Sequence, residues 1–157
     1  DKQPQVMLLD QRFSHIDNFK KQSLRKNLFQ SLKSKNLARV VATHDKNDVL
    51  AFADQMLVLH NGKMLLKGAP KVLYKTPKHA LVAAFFSDYC ILDGVIYYAH
   101  QITFSKQGTI KADVKHSFFQ GTHYMIEAEV NNQTVYFNHP SALEEKQEVS
   151  LEIKANL

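Results

Sequence analysis

Val6-Met7-Leu8-Leu9-Asp10 and Ala38-Arg39-Val40-Val41-Ala42-Thr43-His44-Asp45 are two apolar runs about thirty residues apart, each closed by polar residues. Short apolar runs with little polar alternation are the pattern of strands covered on both faces, as in a parallel sheet. Ligands of open α/β sheets sit beyond the carboxyl ends of the strands, so Asp10 and His44 are the first candidates for a site. Between the runs, Asp17 or Asn18 can cap a helix in which Leu24, Leu28 and Leu32 recur at intervals of four with Lys and Arg between them. This helix should end near Lys35-Asn36, where Asn tolerates the left-handed conformation. Strand, helix, strand is the unit from which parallel sheets are built.

Working outward, Asp45 can cap a further helix whose buried side is Val49, Leu50, Ala53 and Met56. Gln55 to His60, then Asn61-Gly62, then Lys63 to Lys67 read as a hairpin, because Asn-Gly favours the type I′ turn. Pro70 opens a short helix to about Tyr74, and Thr76-Pro77 precedes a second, His79 to Phe86.

After Ser87 the texture becomes β. Val95 to Tyr98, Gln101 to Phe104, Ile110 to Ser117, His123 to Val130, Thr134 to Phe137 and Glu148 to Lys154 are short β-rich runs. Turn signals at Gln107-Gly108, Gln120-Gly121, Asn131-Asn132 and His139-Pro140 separate several of them. This spacing predicts a small barrel or sandwich. The expected fold class is therefore α/β, a partial parallel sheet with helices, followed by a small all-β domain.

Charge marks the same change. Residues 1–87 carry fifteen Lys or Arg against six Asp, a net of +9, while residues 88–157 carry five Lys against nine acids, a net of −4. A boundary near Ser87 is expected, giving domains 1–87 and 88–157. The basic charges of the first part alternate with apolar helical positions and form no aromatic-lined patch, so solvated helix faces are the better reading and no nucleic acid is expected. A hydrophobic content of 45% with ten Phe and six Tyr is enough for a packed core. The single cysteine, Cys90, excludes an internal disulfide and offers no metal-binding pair. A reducing cytoplasmic setting fits that usage. No apolar run approaches the roughly 20 residues that span a bilayer, so membrane association is expected only through a partner.

Taken together, Pro4 to Asp17 resembles the Walker B strand and D-loop of ATP-binding cassette (ABC) transporter ATPases. The family pattern there is an apolar strand, Asp-Glu-Pro, an apolar residue and Ser-Ala-Leu-Asp. Thr43-His44-Asp45 resembles the family's switch-histidine loop. The likeness continues through Ala53-Asp54-Gln55, Asn61-Gly62-Lys63, Gly68-Ala69-Pro70, Tyr74, Pro77 and Phe85-Phe86. The β-rich remainder, with Phe118-Phe119-Gln120-Gly121 at its centre, resembles more loosely the TOBE/OB-like accessory domain that follows the cassette in many importer ATPases.

The resemblance implies roles for particular residues. Asp10 would hold Mg2+ through water, His44 would reach the γ-phosphate and the attacking water, and Ser14 and Asp17 would belong to the D-loop. Gln11 stands where the family has its catalytic Glu. An amide can orient water but cannot take a proton near neutral pH. Each residue also has a plainer reading: Asp10 as a cap or turn residue, His44 as a satisfied core histidine, Ser14 and Asp17 as turn and cap, Gln11 as a loop amide. Phe85, Phe86, Phe118 and Phe119 read as core or interdomain packing.

No Gly-rich run ending in Gly-Lys-Ser/Thr occurs in the sequence, nor does the family's Leu-Ser-Gly-Gly-Gln signature. The expectation is the back part of an importer's ATP-binding subunit, non-hydrolytic alone. The intact family uses ATP and Mg2+, pairs with a second ATPase subunit, and is held at the inner face of the cell membrane by transmembrane permease subunits. The rival expectation is a non-enzymatic regulatory or structural module of a split or degenerate cassette, docking on a separate front half. A third is ligand or oligonucleotide binding by the β domain, against which its net −4 argues.

Overall fold

The structure, a computed structural model, describes residues 6–10, 23, 26–31, 34 and 37–154. The chain divides into two compact units, residues 1–71 and 72–157.

In the first unit, β1 (Val6–Asp10) and β2 (Ala38–Ala42) pair in parallel, in register from Val6 opposite Ala38 to Asp10 opposite Ala42. Helical residues 26–31 (α1) lie between them in sequence. One face of the pair is partly covered: Met7, Leu9, Arg39 and Val41 are half-buried. Phe29 of α1 is buried and its ring stacks on Phe52 with centroids 4.3 Å apart. Arg39 completes the contact. Its guanidinium lies 5.9 Å from the Phe29 centroid and donates, at 3.5 Å, to the Phe52 carbonyl. That explains a charged residue inside an apolar strand: the stem lies along the rings and the head reaches a helix end.

The other face is open. Val6, Leu8 and Val40 are 53%, 74% and 60% exposed, so the expectation of strands covered on both faces is corrected. The physical reason is that the described residues contribute helices to one side only. The stripe expected at Leu24, Leu28 and Leu32 is likewise revised: Phe29 is the buried residue of α1 and Leu28 is half-buried, while Leu24 and Leu32 lie outside the described residues.

Helix α2 (Lys46–Phe52) follows β2 and is capped by Asp45, whose carboxylate accepts from the Asn47 amide at 2.9 Å. Val49 is buried on it, but Leu50, expected on the same face, is exposed. The hairpin β3 (Met56–His60) and β4 (Lys63–Gly68) turns through Asn61 and Gly62, both at positive φ as a type I′ turn requires. Helix α3 (Pro70–Lys75) begins at its proline, as expected.

In the second unit, α4 (Ala80–Phe86) is capped by the His79 ring, which accepts from the Leu81 amide. Tyr74 sets its ring edge-on to Phe86 at 5.4 Å and stacks on Tyr98 at 5.0 Å. Those contacts join residues 72–86 to the β-rich part. The division into compact units thus falls after Lys71, with the aromatic contacts of residues 72–86 on the side of the β-rich part, while the charge balance changes at Ser87.

The β-rich part opens with a hairpin, β5 (Tyr89–Leu92) and β6 (Val95–Tyr98), followed by a single 3-10 turn at Ala99–Gln101. Five antiparallel strands then form one sheet: β7 (Ile102–Phe104), β8 (Ile110–Phe119), β9 (Tyr124–Val130), β10 (Gln133–His139) and β11 (Glu148–Ile153). Their order is β10-β9-β8-β11-β7, and the edge strands β10 and β7 lie near each other. The sheet is thus a nearly closed barrel, compatible with an OB-like domain. Alternate positions point inward: Ala112 and Val114, Ile126 and Ala128, Val135 and Phe137, Val149 and Leu151 are all buried. Phe118 and Phe119, expected as packing residues, are 42% and 66% exposed. They lie beyond the register shift between Val114 and His116, on the stretch where β8 and β9 run out past the core.

Candidate functional site

Parallel pairing brings the carboxyl ends of β1 and β2 to one rim. Asp10 is the last residue of β1, and its partner in register is Ala42; His44 follows two positions on. The carboxylate and the imidazole thus belong to the same end of the same strand pair, and both residues are exposed. Gln11, Ser14 and Asp17, the other candidates, lie outside the described residues.

The turn that carries His44 is tightly bonded. The Thr43 hydroxyl donates to the Asp48 carboxylate at 2.8 Å and accepts from the Asp45 amide at 3.0 Å. Asp45 in turn caps α2 with its side chain, and its carbonyl accepts from the Asp48 amide at 3.1 Å. Asp48 is only 5% exposed and is the one buried charged residue among those described. Carboxylates are almost never so deeply buried without partners, and this one has the Thr43 hydroxyl.

Sequence reading passed over Thr43 and Asp48. A signal existed: Asp45-Lys46-Asn47-Asp48 places an acid three residues after a helix cap, the spacing of a capping box.

The donor set offers little to a bare metal ion. No cluster of three or more His, Cys, Asp or Glu side chains suited to a metal occurs among the described residues. A lone carboxylate on a solvent-facing rim does suit Mg2+, which keeps several waters and takes its remaining oxygens from substrate phosphates. It does not suit a cation that needs an all-protein cage.

Elsewhere, burial pushes the Cys90 thiol up, partly offset by a hydrogen bond with the Tyr136 backbone. Raised and enclosed, this thiol is a packing residue and not a nucleophile. No helix among the described residues is long and apolar enough to cross a membrane.

Known proteins of similar sequence include import ATP-binding proteins of two descriptions. The chain is 37% identical over 93 residues, 59% of its length and 26% of the relative's, to the Fe(3+) ions import ATP-binding protein FbpC of Mesorhizobium japonicum. To the spermidine/putrescine import ATP-binding protein PotA of Clostridioides difficile it is 24% identical over an alignment of 182 residues, covering 96% of this chain and 52% of that protein. PotA of Mycoplasma genitalium is 29% identical across 79% of this chain. The chain spans from about a quarter to about half the length of these relatives. No family model matches it. The chain's homologues are ATP-binding proteins of importers.

Proposed function

Starting from that homology, we propose that these residues form the back part of an ABC importer's ATP-binding subunit. Residues 1–87 supply the Walker B strand, D-loop and switch-histidine loop of the nucleotide-binding domain, and residues 88–157 supply a TOBE/OB-like accessory domain. The observation that carries the reading is the register of β1 on β2, with Asp10 opposite Ala42 and His44 just beyond. It supports a shared rim for a carboxylate and an imidazole, the pair a metal-bound triphosphate needs.

In this reading Asp10 would hold Mg2+ through water, and His44 would donate a hydrogen bond to the terminal phosphate. Bound Mg2+ supplies charge neutralisation at the phosphates. Gln11 orients water without accepting its proton, while Ser14 and Asp17 face a second ATPase subunit. The intact protein works at the inner face of the membrane with transmembrane permease subunits. Iron(III) and polyamines are named for the relatives; this chain's solute belongs to its partners and not to these residues.

A second reading has an observation of its own. The open apolar face at Val6, Leu8 and Val40, together with Gln11, fits a non-enzymatic module of a split cassette that docks on a separate front half.

Phosphate release tests the first reading. The 157 residues alone should show none above background. Joined to the front half of an importer ATPase that supplies the P-loop and signature, the chain should hydrolyse ATP slowly, and Gln11→Glu should raise the rate by about 10²-fold or more, the worth of a general base. Substantial hydrolysis by the chain alone, or a joined cassette indifferent to both Gln11→Glu and His44→Ala, overturns it.

A further inference from the structure

Two residues on the His44 turn have no place in the reading so far, and they are bonded to each other. We propose that Asp48 is a positioning residue: its buried carboxylate, acting through the Thr43 hydroxyl, fixes the turn that presents His44. The proposal rests on the switch reading of His44 and adds to it the device that aims the side chain.

Three observations carry it. The polar chain runs in one direction, from the Asp45 amide to the Thr43 oxygen at 3.0 Å and from the Thr43 hydroxyl to Asp48 at 2.8 Å. It therefore ties together the residues on both sides of His44 and leaves the imidazole exposed. Bonds arranged head to tail, ending on a shielded carboxylate, strengthen one another.

Next, the cap of α2 does not need Asp48. Asp45 already performs that task, accepting from Asn47 with extended backbone at φ −96° and ψ 113°. An acid placed only to favour the helix dipole would stay in water, where it costs no desolvation. Burying Asp48 carries that cost.

Finally, His44 stands on a short crossing between a five-residue strand and a seven-residue helix. The Thr43 and Asp45 bonds hold the backbone on either side of that point. A catalytic or sensing group displaced by about 1 Å can lose about 10²-fold in effect, so a fixed turn is worth a buried charge.

Backbone amide relaxation by NMR on the full chain, without nucleotide, tests this. In the parent protein the His44 amide should show an order parameter near about 0.85, that of rigid backbone. Thr43→Val, which removes the hydroxyl but keeps the shape, should drop it below about 0.6 while Leu57 and Leu66 of the β3–β4 hairpin stay unchanged; Thr43→Ser should restore it. Asp48→Ala removes the acceptor together with the buried charge and substitutes a strong helix former, so it gives a second reading should Thr43→Val fail to fold. Positioning predicts loss of order at His44 in Asp48→Ala with the rest of the first unit unchanged.

A His44 amide equally ordered in Thr43→Val and Asp48→Ala, or order lost uniformly across the first unit, overturns the proposal. The two readings fail separately. A turn that loosens as described, beside a joined cassette indifferent to His44→Ala, removes the switch role and leaves Asp48 as the residue that fixes the turn.

Discussion

The β1–β2 pair has the more continuously apolar strands, yet the alternating strands of the barrel are the ones buried deeply. In the barrel, sidedness is written into each strand: along β9, Ile126, Ala128 and Val130 point in, and Met125, Glu127 and Glu129 point out. In β1 both faces are apolar. Met7 and Leu9 are half-buried and Val6 and Leu8 face solvent. A barrel satisfies its own strands because closure leaves a single inside. A two-stranded parallel pair has two faces, and the helices described here cover one. The difference is that each barrel strand sets a packed side against a polar one, whereas β1 and β2 keep an exposed apolar face among the described residues.

The largest effect that would break this contrast is a pair of truncations. Phe137→Ala removes a fully buried ring from the barrel and should cost about 3–5 kcal/mol. Leu8→Ala, at a residue 74% exposed, should stay within about 0.5 kcal/mol. Denaturant titration read by the reactivity of Cys90 isolates the barrel, since that thiol is buried within its core cluster. A Leu8→Ala loss comparable to that of Phe137→Ala would show that the open face of β1 is covered after all, by contacts the chain makes with itself.

Much of this was legible because local chemistry fixed it. Asn61-Gly62 dictated a hairpin, Asp45 a cap, Pro70 a helix start, and the turn residues after Ser87 the boundaries of most barrel strands. What escaped was of two kinds. β5 (Tyr89–Leu92) was missed although Asp93-Gly94, both at positive φ, announces its turn to β6. The signal was there and was overlooked. Phe29, Leu50, Phe118 and Phe119 failed differently: each is apolar, and only tertiary placement decides whether an apolar residue finds a neighbour. At the candidate site, Asp10 and His44 were readable from the ends of apolar runs. The bond between Thr43 and Asp48 was not: the capping-box spacing marks Asp48 as a helix-start acid, but its burial against Thr43 is a tertiary fact that spacing does not reveal.

A smaller effect sharpens the picture of the barrel as a closed packing unit. Gly108 sits where an added Cβ would meet the Leu151 carbonyl and lie 2.7 Å from the Leu151 nitrogen. That backbone cannot give way, since Leu151 pairs with Phe104 on one side and Ile110 on the other. Gly108→Ala should therefore cost about 1–3 kcal/mol, the range of overpacking. By contrast Gly62, with open space around it, should lose only what its positive φ demands, roughly 1 kcal/mol on Gly62→Ala. Equal losses at the two glycines would mean that strand β11 moves freely, and the barrel would then be looser than its burial implies.

The smallest change tests whether every buried group in the second unit contributes. Tyr98 is almost wholly buried in a cluster with the Tyr74 and His100 rings, which also neighbour each other, yet its hydroxyl finds no hydrogen-bond partner among the described residues. Removing an unsatisfied hydroxyl relieves a desolvation penalty, so Tyr98→Phe should be neutral or stabilising by up to about 1 kcal/mol at pH 7. Its alkaline behaviour gives a second, independent sign. Burial, aided by the neighbouring Tyr74, pushes the Tyr98 phenol up to about 12, above its ordinary value of 10. The folded state then keeps its proton where the unfolded chain loses it, so the stability this residue contributes is present below pH 10 and falls as pH rises from 10 toward 12. Tyr98→Phe should flatten that part of the alkaline decline. The decline should not vanish, because burial and nearby acidic groups also raise the Tyr136 phenol. Melting curves of both proteins between neutral and strongly alkaline pH decide it: a variant less stable at pH 7 would show that the hydroxyl has a partner, and an unchanged alkaline slope would show that Tyr98 ionises as freely folded as unfolded.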